Sequence, residues 1–325
     1  MKAAIYHRYG GPEVLSLGDV NQPEPGDDEL LIETHAAEVT KADCEMRRFS
    51  FPVKWFWLPL RFAIGLLRPR RAILGGYFSG VVVTVGKNVS RFRPGDAIFG
   101  TTKLRFGAHG EFLCLPQHYT LENKPDNISF EEAAAVPLGG LNAIHFMRKA
   151  GLQPGESILI NGAGGSIGTF ALQIAKLMGA EVTAVDHGDK ADMLRGIGAD
   201  HVIDYMREDF TRLDRTYDVI FDMVATSSYS GCVGRLKPGG RYLIGNPRVA
   251  DMLRSLVTPL MSDKQVYFEF AGEGQAELHD LAQMLKAGEI RPVVDRVYPL
   301  EQIADAHRRV ETEARLGIVV VSLKA

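Results

Sequence analysis

The stretch SILINGAGGSIGTFALQIAKLMGAEVTAVD, residues 157 to 186, decides the fold. Its apolar start, Ser157 to Ile160, reads as a strand, and a helix-patterned run from about Ser166 stops near Gly179. Between them lies Ala163-x-Gly165-x-x-Gly168, a turn almost stripped of side chains. A backbone that must approach a pyrophosphate has no room for a side chain at Gly165. Close packing of helix on strand favours glycine at Gly168, and the helix N-terminus presents free N–H groups to negative charge. A glycine pattern alone also fits a plain structural turn. The strand before, the helix after and Asp186 closing the next strand together favour a dinucleotide seat, because an acid there accepts hydrogen bonds from ribose hydroxyls. Gly162, Ala163, Gly165, Ser166 and Ile167 are the candidate contacts of the turn.

Outward from this turn the chain divides by texture. From Pro125 onward strand and helix patterns alternate (SILI, EVTAV, DHVID, DVIFDMV and RYLIG with helices between), the sign of an α/β doubly wound parallel sheet. From Met1 to Asn123, short β-rich runs such as LLIETHAAEV, GVVVTVG and DAIFG are separated by Pro-Gly and Gly-Asp turns, which reads as a β-barrel-like domain. Further on, QAELHDLAQMLKAGEIRP predicts a helix ending at Gly288, LEQIADAHRRVETEARLG another ending at Gly317, and GIVVVSL a last strand. The expected domains are 1–124 completed by 290–325, and 125–289.

Composition narrows the partners. The 325 residues carry a formal net charge of -3, which gives no global electrostatic reason to bind nucleic acid or an anionic membrane; small-molecule partners fit better. The start, MKAAIYHRYGGPEV, lacks the apolar core and cleavage site of a secretory signal. The three cysteines, Cys44, Cys114 and Cys232, form no CxxC pair, so neither a disulfide framework nor a cysteine zinc site is written here and a reducing cytoplasm is the expected address. The apolar stretch from Phe51 to Leu67 is broken by Lys54, Arg61 and two prolines and is shorter than the ~20 residues of a bilayer crossing, so no membrane span is expected. It reads as a folded flap over apolar surface, with membrane-surface or dimer contact as the alternative.

The runs GGPEVL (10 to 15), ILGGYFSGVVVTVGKNV (73 to 89), RFRPGDAIFG (91 to 100), FEEAAAVPLGGLNAIHF (130 to 146), QPGESILINGAGGSIGTFALQIAKLMGAEV (153 to 182) and LKPGGRYLIG (236 to 245) resemble the medium-chain dehydrogenase/reductases. Within that superfamily the chain is similar, over nearly its whole length, to the zinc-free quinone oxidoreductase branch. The resemblance implies a GroES-like catalytic domain completed by the C-terminal tail, a Rossmann domain, an active site in the cleft between them, a homodimer, and hydride taken from NADPH. The carboxylate of Asp186 argues differently, since it repels a 2′-phosphate and favours NADH, whereas His187 and Lys190 can serve a phosphate if turned inward. NAD(P)H is therefore the expected cofactor, with a lean to NADH. By alignment alone Asn142, Gly245 and Asn246 would meet the nicotinamide and Tyr205 would flank the adenosine; a turn or core role is the alternative for each.

Zinc-dependent relatives place a cysteine three residues before an aspartate, then Gly-His-Glu, then a further cysteine or acid. Here Asp43 is preceded by Thr40, the second motif reads Gly75, Gly76, Tyr77, and the last site falls near Gly140. None of these is a good zinc ligand, so no metal is expected. Without a Lewis acid the easier direction is reduction of an electron-poor acceptor, a quinone or an α,β-unsaturated carbonyl. Thr40 and Tyr77 are the candidate catalytic residues: hydroxyls able to hydrogen-bond the substrate oxygen or relay a proton, although Tyr77 also fits a core role. Phe51 stands where related enoyl reductases carry an acid tyrosine. Arg47 and Arg48 could hold a polar substrate end or form a solvated pair, and Cys44 reads as packed core or an inert thiol. A zinc-free alcohol dehydrogenase and a non-catalytic dinucleotide-binding or sensing protein are the alternatives.

Overall fold

A mostly antiparallel sheet and a wholly parallel one divide the molecule into two kinds of sheet. The structure, a computed structural model, describes residues 1–51, 64–269 and 272–324. Contacts group these into Met1–Leu138 with Glu273–Ala325, and Gly139–Gly272. Most of the apolar segment from Phe51 to Leu67 therefore lies outside the described residues, and with it the flap reading.

The first unit contains β1 (Lys2–Ile5), β2 (Ser16–Asp19), β3 (Glu29–Val39), α1 (Lys41–Arg48), β4 (Tyr77–Val85), β5 (Ala97–Thr101), β6 (Phe112–Pro116), β7 (Leu121–Asn123) and α2 (Phe130–Ala134). The 11-residue β3 is its spine, pairing antiparallel with both β4 and β6. Ile32, Phe78, Ile98, Leu113 and Leu121 fill the core beneath it.

The second unit begins at Gly139, within α3 (Pro137–Ala150), and continues through β8 (Ser157–Asn161), α4 (Ser166–Leu177), β9 (Glu181–Asp186), α5 (Ala191–Gly196), β10 (His201–Asp204), β11 (Tyr217–Asp222), α6 (Tyr229–Gly234), β12 (Leu236–Ile244), α7 (Val249–Met261) and β13 (Gln265–Phe268). All six strands are parallel, in the order β10-β9-β8-β11-β12-β13. Every residue of β8 is buried, as a strand covered by helices on both faces requires. The chain runs from β8 out to β10 on one side and resumes with β11 on the other. The topological switch point thus falls beside the carboxyl end of β8, where Gly162 begins the turn, and ligands of doubly wound sheets bind there.

The chain then adds α8 (Gln275–Lys286), β14 (Val294–Pro299), α9 (Ile303–Glu311) and β15 (Ile318–Ser322) to the first unit. β15 pairs antiparallel with β3 and parallel with β14, extending the sheet to seven strands. The helix drawn to Gly317 stops at Glu311, and Glu313 takes a positive φ of 57° before Gly317 turns the chain into β15.

By contacts the seams between the units fall at 138/139 and 272/273. Two local features tie the flanking segments to the first unit. A capping box of Ser129 and Glu132 starts α2, which packs on β3 and β4. The segment entering α8 is tied to β7 and its approach: the Thr120 hydroxyl donates to the Glu273 carbonyl at 2.6 Å, and the Leu121 N–H donates to Gln275 Oε1 at 3.1 Å.

Candidate active site

The turn after β8 holds itself in shape with its own backbone. Gly162 and Ala163 N–H both donate to the Val185 carbonyl, at 3.0 and 3.2 Å, and Gly165 N–H donates to the Gly162 carbonyl. Gly162 needs its freedom because its φ is +85°. A Cβ on Gly168 would sit 2.3 Å from the Gly162 oxygen and 2.6 Å from the Ala163 Cα, so this glycine is required for packing. Gly165 is different. Its Cβ would find only the Gly162 oxygen within 4 Å, and as N-cap of α4 it makes no side-chain bond to the N–H groups of the first turn. The protein leaves space where an anion would approach those donors, and the residues fit a dinucleotide phosphate.

Asp186, at the end of β9, is not a bare carboxylate. Its Oδ2 accepts the Gly164 N–H at 2.7 Å, its Oδ1 accepts the His187 N–H at 2.8 Å, and Lys190 Nζ stands 2.8 Å from Oδ1. Both side chains are buried. Lys190, which could serve a phosphate if turned inward, here pairs with the Asp186 carboxylate, and the buried ion pair is neutral as a unit. His187 and the exposed Tyr205 lie edge to face with ring centroids 6.0 Å apart, which brings Asp186, His187, Lys190 and Tyr205 together at the carboxyl ends of β9 and β10. Gly245 follows β12, with its N–H on the Asp222 carbonyl at 2.9 Å and Asn246 Nδ2 on the Met223 carbonyl at 2.8 Å. Ser166 and Ile167 open α4, and Asn142 lies on α3.

Gly164 was missing from the candidates, yet its N–H anchors Asp186, and a Cβ there would meet Lys190 Cδ at 2.4 Å. Asp222 was missing as well. Buried at the end of β11, it accepts Asn161 Nδ2, Ser227 Oγ and the Val224 N–H on Oδ1 (2.9, 3.0 and 2.9 Å) and the Tyr242 hydroxyl on Oδ2 (2.9 Å). Burial raises its pKa against these donors. Since Asn161 immediately precedes Gly162, this network fixes where the glycine turn begins. An aspartate closing an apolar strand was the signal available for it.

In the first unit, Thr40 caps α1. Its hydroxyl accepts the Asp43 N–H at 3.0 Å and donates to Asp43 Oδ2 at 2.6 Å, while the Thr40 N–H donates to the same oxygen at 2.9 Å. Asp43 Oδ1 takes the Gly75 N–H at 3.1 Å and so ties the helix start to the strand that begins with Tyr77. Thr40 thus sits buried in a capping box, with its proton engaged by Asp43. Tyr77 donates to Glu273 Oε1 at 3.3 Å, and Thr101 Oγ1 donates to Oε2 at 2.7 Å. Burial, then the charges of Glu273, Glu38 and Asp43, hold the phenol well above its ordinary pKa, so it stays protonated.

Arg47 is corrected. It is fully buried, neither solvated nor free for substrate, with Nε on the Gly10 carbonyl at 3.2 Å and a guanidinium nitrogen on Glu311 at 2.5 Å; the half-exposed Arg48 reaches the same carboxylate at 3.2 Å. Cys44 has a partner after all. Its Sγ lies 3.3 Å from His307 Nδ1, and burial, with Asp43, pushes the thiol up to about 12, which leaves it unreactive. Phe51 packs edge-on against Phe49 at 5.3 Å. Zinc does not fit the motif positions: Thr40 and Tyr77 are hydroxyls already engaged with carboxylates, and among the described residues no three His, Cys, Asp or Glu side chains are grouped to hold a metal ion.

Comparison with known proteins agrees with this architecture. The family described as alcohol dehydrogenase GroES-like domain matches residues 26–136, and that described as zinc-binding dehydrogenase matches residues 197–321. The 2-methylene-furan-3-one reductase of Solanum lycopersicum is 31% identical over 334 residues, which cover 99% of this chain and 79% of that protein. The quinone oxidoreductase of Homo sapiens is 28% identical, covering 95% of this chain and 94% of its own. Among solved structures, the quinone oxidoreductase from Coxiella burnetii superimposes with a TM-score of 0.87 at 25% identity, over 100% of this chain and 99% of that one. An NAD-dependent alcohol dehydrogenase superimposes with a TM-score of 0.83 at 29% identity over the whole of both chains. A GroES-like unit followed by a six-stranded parallel sheet with a glycine turn at its switch point defines a two-domain nicotinamide-dependent dehydrogenase or reductase. The chain belongs to the medium-chain dehydrogenase/reductase superfamily.

Proposed function

We propose that this chain transfers hydride from NAD(P)H to a quinone or an α,β-unsaturated carbonyl, as a zinc-independent reductase of the quinone oxidoreductase branch. The observation that carries the reading is the empty side of Gly165 next to the uncapped start of α4, with hydroxyls engaged by carboxylates standing at the motif positions of the metal. Gly162, Ala163, Gly165, Ser166 and Ile167 would hold the pyrophosphate; Asp186, His187, Lys190 and Tyr205 the adenosine; Asn142, Gly245 and Asn246 the nicotinamide. Bound there, the nicotinamide supplies a hydride. The protein's part is to orient its partner, to exclude water and to bring a donor to the oxygen on which negative charge develops.

Tyr77 is the donor we favour, because its phenol stays protonated and its bond to Glu273, at 3.3 Å, is long enough to be exchanged for one to the substrate oxygen. Thr40 acts by holding the start of α1 through Asp43. The neutral Asp186–Lys190 pair discriminates weakly, so NADH and NADPH are both used and the lean to NADH is small. The same reading carries a homodimer and, from the three free cysteines, a cytoplasmic location. Among the described residues no helix is long and apolar enough to cross a membrane.

The test is oxidation of NADH and of NADPH with 9,10-phenanthrenequinone and a panel of enones, with and without a chelator. Turnover unaffected by chelator is expected. Quenching of cofactor fluorescence without oxidation by any acceptor would make the chain a binding protein. Secondary-alcohol oxidation that appears only on adding zinc would make it an alcohol dehydrogenase.

A further inference from the structure

We propose that the loop 64–71, with His7 and Arg8 beside it, is a docking surface for an anionic membrane, its arginines meeting lipid phosphates and its two exposed leucines entering the acyl layer. The surface lies wholly in the first unit and is independent of the reaction proposed above. Backbone bonds hold the loop in place. The Arg70 N–H donates to the Ile64 carbonyl at 2.8 Å, the Tyr9 hydroxyl donates to the Gly65 carbonyl at 2.8 Å, and the Tyr6 N–H donates to the Ala72 carbonyl at 2.9 Å. Gly65 has a φ of +135°, and a Cβ there would lie 2.0 Å from the Arg68 oxygen, so the reversal needs glycine. Ile5 bridges to Ile73 in antiparallel sense, which runs His7 and Arg8 alongside the end of the loop.

This frame displays charge without a partner. Arg8, Arg68, Arg70 and Arg71 are all exposed, and among the described residues none of them is ion-paired, whereas Arg47 and Arg48, earlier in the same stretch, share Glu311. No aspartate or glutamate occurs between Glu45 and Asp96, against ten lysines and arginines, so the sequence around the loop offers no local counter-charge. His7, Arg68, Pro69 and Arg70 line an open cleft of about 440 Å³, with room for a phosphate group.

Beside these cations Leu66 and Leu67 are 51 and 88% exposed. Leucines exposed singly are ordinary. Two in succession on a tight loop, next to unpaired guanidinium groups, match the way peripheral proteins meet a bilayer: apolar side chains pass below the headgroups and arginine stems reach back up to the phosphates. The net charge of -3 does not oppose this, because charges more than about 8 Å away are screened at physiological ionic strength and a surface responds to the local patch. Nucleic acid or a soluble phosphate would use the arginines but gain nothing from the leucines. A lipid surface uses both, and with so small an apolar contact the docking is reversible.

Co-sedimentation of the full chain with vesicles tests the surface. The wild type is expected to bind vesicles containing about 30% phosphatidylserine, to ignore pure phosphatidylcholine and to be released by about 0.5 M NaCl. The triple variant Arg68→Ser, Arg70→Ser, Arg71→Ser should bind ~100-fold more weakly, at about fivefold per arginine. Leu67→Ser should bind about 10-fold more weakly with every charge retained. Both variants should melt as the wild type does, since the replaced side chains are exposed and the arginines unpaired. A triple variant or a Leu67→Ser chain that binds as tightly as the wild type, or a wild type that binds both lipids equally, overturns the proposal. So does a wild type that binds no vesicle; calorimetric binding of inorganic phosphate, lost in the triple variant, would then assign the cleft to a soluble anion.

Discussion

Substituting alanine for Gly165 separates a ligand cradle from a structural turn, because the structure predicts opposite behaviour for Gly165 and Gly168. At Gly165 φ is -89° and ψ 175°, a conformation any residue adopts, and the new Cβ meets nothing closer than 3.6 Å. Removing a glycine's unfolded-state freedom stabilises by about 0.4–1 kcal/mol, while replacing glycine by alanine at an N-cap costs about 0.5–1 kcal/mol. The two offset, and melting should shift by no more than about 3 °C. Binding should behave otherwise. A methyl placed where a phosphate oxygen approaches the first turn of α4 removes a charge-assisted hydrogen bond of about 1.5–3 kcal/mol, a loss of affinity of about 10-fold to 150-fold. Gly168→Ala is the counterpart: its Cβ would overlap backbone atoms at 2.3 and 2.6 Å, which cannot yield as a side-chain end can, so stability falls by about 1–3 kcal/mol or more. Thermal melting paired with calorimetric titration of NADH and NADPH reads both. Wild-type affinity in Gly165→Ala at unchanged stability would refute the claim that this turn seats the diphosphate.

Three other outcomes follow from the same geometry. Lys190→Ala strands a buried carboxylate with only two N–H donors, so urea denaturation should show a loss of about 3 kcal/mol, and kcat/KM for NADPH should fall more than for NADH; an equal fall for both would remove Lys190 from phosphate recognition. Tyr77→Phe should lower kcat about 100-fold with little change in KM for the cofactor; a kcat within about twofold of wild type would show the proton comes from elsewhere. Burial, followed by the charges of His109 and Arg47, holds the His307 pKa well below 6.5. The unfolded chain therefore takes up a proton below about pH 6.5 that the folded chain refuses, and this contribution to stability, complete above that pH, is lost on acidification at up to about 1.4 kcal/mol per pH unit. His307→Gln should flatten the dependence between pH 6.5 and 5.5. An unchanged slope would assign it to other groups.

The parallel sheet and its glycine turn were legible because they are local. The apolar run, the turn and the helix lie within residues 157 to 177, and the roles of Gly165 and Gly168 follow from where a Cβ would point. Polar partnerships were legible only where they too are local. Thr40-x-x-Asp43 is a capping pattern in plain view, and the comparison with metal ligands obscured it. The ion pair of Asp186 with Lys190, four residues on, depends on a short turn at Gly188–Lys190 and on Gly164 making room for the lysine stem, neither of which a strand-end aspartate announces. The rest is tertiary. Tyr77 meets Glu273 across 196 residues and Arg47 meets Glu311 across 264, so their burial and pairing are fixed by the return of the C-terminal segment to the first unit.

These partnerships constrain the chemistry more tightly than residue identities do. A hydroxyl stabilises an oxygen that is gaining charge only if its proton is free to point there. Thr40 gives its proton to a carboxylate that also receives two backbone N–H groups, and withdrawing it would unpick the start of α1. Tyr77 gives its proton across 3.3 Å, a long and therefore weaker bond, to a carboxylate that Thr101 still supports at 2.7 Å. Of the two, Tyr77 can turn at lower cost.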